Sequence, residues 1–169
     1  MGDIKYYTVF DIPKSISNLN LQRIIQFYLF ECPVEGKSQR GKIFKDYGYV
    51  GSPSFGKLKK TLLDSGTLSL PKNYYPSKKD KLNENFKKCE SIVYPDEYCV
   101  FLKNDNEICS LFSAIRNSFA HGSFNVKSYN KKRIYYFSNF KKYEKARIIL
   151  HESTLLSWIK IIKNNEQEK

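Results

Sequence analysis

The chain has 169 residues, 41% hydrophobic and 15% aromatic, enough to bury a core and suited to a single domain over residues 1–169. Its net charge of +12 points to an acidic partner, with nucleic acid the foremost class, although the joint abundance of lysine, asparagine, isoleucine and tyrosine is also what an AT-rich coding sequence yields. No run reaches the roughly 18 apolar residues that span a bilayer, and residues 1–10 carry Asp3 and Lys5 without an apolar signal core, so a cytoplasmic protein with no membrane partner is expected.

In chain order, Ser15 and Ser17 offer N-caps for a first amphipathic helix, whose apolar positions Leu21, Ile24, Ile25, Tyr28 and Leu29 recur at spacings of three and four and which ends near Cys32 and Pro33. Residues 34–53 hold four glycines without a sustained period and read as an irregular loop. Ser54 caps a short second helix over residues 55–63, stopped by Asp64-Ser65-Gly66. Residues 67–77, with Pro71 and Pro76, read as a connector, and residues 77–92 as a lysine-rich segment with a weak helical face of Leu82, Phe86 and Cys89. For residues 96–102 the period leaves helix and strand both open.

The clearest element is a helix over about residues 105–121. Asn104 followed by Glu107 resembles a capping box, and Ile108, Leu111, Phe112, Ile115 and Phe119 repeat at helical spacing before Gly122, which suits a left-handed C-cap. Beyond it the period changes to two. Residues 123–129, 133–138 and 146–150 read as an antiparallel hairpin with room for a third strand, turning at Asn130-Lys131. A last helix over residues 153–163 carries Leu155, Leu156, Trp158, Ile159 and Ile162. The fold class expected is mainly α: a bundle of four or five helices with a small β-hairpin inserted before the C-terminal helix.

Function concentrates on Arg116, Asn117 and His121. Arg116 is one of five arginines against twenty-four lysines, and His121 one of two histidines. At about 100° per residue the three lie off the core stripe, with Asn117 and His121 four apart and able to hydrogen-bond. They can converge on one ligand only if something else forms the opposite wall. Arginine grips a phosphate with two parallel hydrogen bonds, and imidazole transfers protons near neutral pH. The four cysteines form no CxxC pair and no histidine sits at ligand spacing, so free thiols, no metal and no cofactor are expected. His151 reads as a cap or surface residue. Lys131, Lys132 and Arg133 at the hairpin tip are candidates for tracking an RNA backbone, beside the simpler reading of a solvated turn.

The string from Arg116 to His121, preceded by Ile115 and followed by Gly122-Ser123-Phe124, resembles the signature of the HEPN superfamily, and the hairpin before a final helix with Trp158 resembles some of its defence-related groups. The resemblance covers about residues 105–163. It implies a HEPN-like bundle and a metal-independent endoribonuclease, of the toxin or abortive-infection type, acting on single-stranded RNA. It also implies a homodimer whose two motifs share one cleft, with an antitoxin or companion protein possible. Ser123 stands where some relatives carry a modified tyrosine, which puts control by that route in doubt. Two rivals stay open: a non-catalytic RNA- or nucleotide-binding module, and a structural or regulatory subunit that docks a protein.

Overall fold

A computed structural model describes residues 18–37, 41–70, 72–92 and 96–165. Ser15, Ser17, Pro71 and Pro95 fall outside these residues. The first helix, α1 (Leu19–Ile25), is capped by Asn18, whose side chain accepts from the Leu21 amide, and runs on into a π-helical turn, Gln26–Phe30. Next come α2 (Gly51–Asp64), β1 (Tyr74–Ser77), a 3-10 turn at Lys79–Lys81, α3 (Leu82–Glu90) and β2 (Tyr98–Leu102). The remainder is α4 (Glu107–Ala120), β3 (Phe124–Tyr129), β4 (Lys132–Phe140), β5 (Glu144–His151) and α5 (Glu152–Asn164).

The expectation of a mainly α, HEPN-like bundle is overturned. The strands form one five-stranded mixed sheet in the order β1-β2-β5-β4-β3, which makes the fold α/β. The expected hairpin exists, with its third strand, but these are three strands of a five-stranded sheet: β5 pairs antiparallel with β2, joining the C-terminal strands to one that precedes α4. Residues 98–102 hold the decision. Their run Tyr-Cys-Val-Phe-Leu is apolar on both faces because both are covered, so no alternation marks it as a strand. The supposed connector likewise contains β1, parallel to β2. It tolerates Pro76 because an edge strand can do without one ladder N–H.

The inner sheet face, including Tyr74, Phe101, Ile148, Leu150, Tyr135 and Phe137, joins the main core with α1, α2, α4 and α5. The outer face at β1 and β2 packs its own cluster, Tyr98 and Val100 against Leu82, Phe86 and Cys89 of α3. Phe112 of α4 stands at the main core's centre, its ring 5.4 Å from Phe44, 5.6 Å from Tyr28 and 5.9 Å from Trp158. Trp158 is fully buried and donates from Nε1 to the Leu62 carbonyl at 2.9 Å, so its one polar atom is satisfied.

Helix α4 starts later than the sequence suggests. Its N-cap is Asn106, accepting from the Cys109 amide at 3.0 Å, whereas the Asn104 amide donates to Ser110 Oγ. At the other end the Gly122 amide donates to the Phe119 carbonyl and the Ser123 amide to the Ser118 carbonyl at 2.8 Å. With Gly122 at φ +66° this is a Schellman cap, which only glycine enters without steric cost. The Ser138 amide then donates to the Ser123 carbonyl, and Ser118 Oγ to the Ser138 carbonyl, pinning the helix end to β4.

Candidate phosphate-binding cleft

One face of α4 carries Ser110, Ser113, Ala114, Asn117 and His121, all within an arc of about 100° on the helical wheel. Small side chains at the first three leave a trough, and the end of the β4–β5 hairpin stands across it. The result is a cleft of about 550 Å³. Asn139, Phe140, Lys141 and Lys145 come from the hairpin, Leu102 and Asn104 from the end of β2, and Lys37 from the loop after α1. The opposite wall that one helix could not supply is therefore present within a single chain.

The lining holds Arg116, three lysines, His121 and three asparagines, with no carboxylate. Ligand pockets are predominantly apolar with a few polar groups; this one is polar and cationic, which suits an anion. The other described arginines of the sheet region differ. Arg147 holds Glu144 through two hydrogen bonds of 3.0 and 2.7 Å and covers the Phe86 ring, and Arg133 faces Glu152 at 3.7 Å. Arg116 instead donates from Nη1 to Asn117 Oδ1 at 3.3 Å, and its Nε is buried with no partner. A buried donor of a charged group left unsatisfied costs more than the roughly 1–3 kcal/mol of a neutral one.

Arg116 and Asn117 are half-buried and His121 is exposed at the cap. All three line the cleft, but they are not one hydrogen-bonded group: Asn117 serves Arg116, and no described residue hydrogen-bonds the His121 imidazole. Lys131, Lys132 and Arg133 lie at the opposite end of β4, about 20–25 Å away at 3.3 Å per residue, so the structure does not bring them to the cleft. His151 caps α5 at that same far end; its amide donates to the buried Glu97 carboxylate at 2.7 Å.

Cys32, outside the cleft lining, is not a reactive thiol. Burial pushes the Cys32 thiol up to about 12, outweighing a hydrogen bond from the Val34 backbone and the charge of Arg116, and a protonated thiol does not attack. All four cysteines are free, and burial raises each of them. Among the described residues no group of three or more His, Cys, Asp or Glu could hold a metal ion, and no helix is long and apolar enough to cross a membrane.

Of the residues that line the cleft, the sequence singles out Arg116, Asn117 and His121 and does not point to Lys37, Asn139, Phe140, Lys141 or Lys145. The serines and alanine at 110, 113 and 114, on the same arc as Asn117 and His121, were the available signal for a trough. No family model, no curated protein and no solved structure matches this chain.

Proposed function

We propose that the cleft binds RNA by its backbone and cleaves it through attack of the ribose 2′-hydroxyl on the adjacent phosphorus, a reaction for which RNA carries its own nucleophile. The observation that carries the reading is the carboxylate-free cationic lining around Arg116, whose buried Nε has no partner. Arg116 would hold the phosphate and stabilise the charge that develops on its oxygens. Lys141 and Lys145 would hold neighbouring phosphates. His121, at the open end of the trough, would take the 2′-hydroxyl proton or return one to the departing 5′-oxygen. Water, or the His121 of a second copy in the homodimer that the motif's resemblance suggests, would make the other transfer. The products would carry 2′,3′-cyclic phosphate and 5′-hydroxyl ends.

The test is cleavage of a labelled single-stranded RNA in the presence of chelator. Expected is chelator-resistant cutting that falls by a factor of about 100 or more in His121→Ala, with folding intact. Cutting abolished by chelator and indifferent to His121→Ala and Arg116→Ala would refute the reading. A toxin or defence role follows from the same resemblance: induced expression should arrest bacterial growth, and His121→Ala should relieve it.

A second reading has its own support. The exposed His121 lacks the orienting hydrogen bond expected from Asn117, as suits a module that binds RNA without cutting it. Such a binder would keep its affinity in His121→Ala and show no cleavage in the parent chain.

A further inference from the structure

Phe140 is the one exposed phenylalanine among the described residues, at 68% of its full area. It has no ring contact and no cation over its face there, whereas Phe112, Phe119 and Phe137 are packed ring against ring in the core. The register between β4 and β5 shifts beside it, between Asn139 and Phe140, with Lys145 the extra residue on β5. Such bulges re-aim side chains and occur beside binding sites. Asn139 pairs opposite Ala146 and Phe140 opposite Glu144, and Phe140 lines the cleft with Asn139, Lys141, Lys145 and Arg116.

An unpartnered aromatic face in one cleft with a guanidinium that has an unmet donor and with two ammonium groups matches the two halves of a nucleotide. The cations take the phosphate, and the ring takes a base. The base must be unpaired, because in a duplex both of its faces are already stacked. We propose that Phe140 is the base-stacking platform of this cleft, so that the nucleic acid it takes is single-stranded and the base beside the Arg116-bound phosphate lies on the Phe140 ring. The Asn139 amide, one residue away, offers a donor and an acceptor for that base's edge. This rests on the RNA reading above.

The experiment measures the affinity of the full chain and of Phe140→Ala, Phe140→Trp and Arg116→Ala for three probes: a labelled 12-nucleotide RNA strand, the same strand in a duplex, and inorganic tripolyphosphate, which has charge but no base. Expected for Phe140→Ala is a loss of about 5- to 100-fold on the single strand, with tripolyphosphate unchanged. Phe140→Trp should keep the affinity, and because the chain's other tryptophan is fully buried, the new indole's fluorescence should be quenched as the strand binds. Equal affinity of Phe140→Ala and the parent for the single strand would overturn the proposal. So would parent affinity for the duplex as high as for the strand, or a drop from dimer to monomer in Phe140→Ala with RNA binding intact, which would make the ring a self-association contact. The underlying reading fails separately, if Arg116→Ala binds both RNA and tripolyphosphate like the parent.

Discussion

The two ends of β4 carry similar sequences and have different fates. At one end, Lys132 and Arg133 follow a two-residue turn in which Asn130 and Lys131 both adopt positive φ, 46° and 63°, the geometry that matches strand twist in a tight hairpin. The lysines there are exposed, and Arg133 is directed to Glu152, which also accepts from Tyr135 and Asn20. At the other end, Asn139, Phe140 and Lys141 flank a register shift and line the cleft beside α4. A basic cluster becomes a site only where a second element forms the facing wall and leaves a cation unneutralised. Charge in the sequence is the weaker clue, and the geometry around it decides.

The comparison can be broken most sharply at Arg116. Arg116→Ala should reduce RNA cleavage by about 100-fold or more, and Arg116→Lys should restore little, since an ammonium cannot make the guanidinium's two parallel bonds. Rates on one RNA substrate, with circular dichroism confirming the fold, provide the check. At the bulged end, Lys141→Ala combined with Lys145→Ala should weaken single-strand binding about tenfold and reduce the slope of log affinity against log salt by about 1.4, the value for two phosphate contacts on a single strand.

The far end should respond in stability rather than binding. Glu152→Ala removes the acceptor for Asn20 at 2.9 Å and for Tyr135 at 3.0 Å, and is expected to lower the melting temperature by an amount equivalent to about 1–3 kcal/mol while RNA affinity is unchanged. The smallest effect belongs to Lys131→Ser with Lys132→Ser: affinity within about twofold of the parent. If that pair weakened binding as much as the cleft lysines, net charge rather than the cleft would govern RNA attraction.

The core makes a pH prediction that touches both ends equally. Burial raises the thiols of Cys32, to about 12, and Cys89, to about 11, from an ordinary 9.0, and raises the hydroxyls of Tyr28, Tyr74 and Tyr135 from 10.0. In each case the folded state holds its proton longer than the unfolded one. The stabilisation is thus complete below about pH 9 and is lost as pH rises toward 12. Melting temperatures measured from pH 8 to 11 should fall steadily, without a separate transition for the cleft.

How much was legible follows the range of each signal. The core face of α4, the Gly122 cap, the Asn130-Lys131 turn and Trp158 in the last helix are written in residues a few positions apart, and each was read correctly. The N-cap was misplaced from Asn106 to Asn104 because both are asparagines within reach of the first turn. β2 is undecided in the sequence because a strand covered on both faces has no alternation to read. β1 was missed because Pro76 and its neighbours carry turn chemistry, and only the parallel neighbour β2 makes them a strand.

For the site, the sequence by itself determined the chemistry available: a scarce arginine, an asparagine and a histidine on one helix, with small residues beside them. The tertiary structure decided which of them line one cleft and with what. Pairing of β5 with β2 is a contact between residues about fifty apart, and local periodicity holds no information about it. That pairing fixes where the β4–β5 hairpin ends, and so whether Lys141, Lys145 and Phe140 face Arg116 or open solvent.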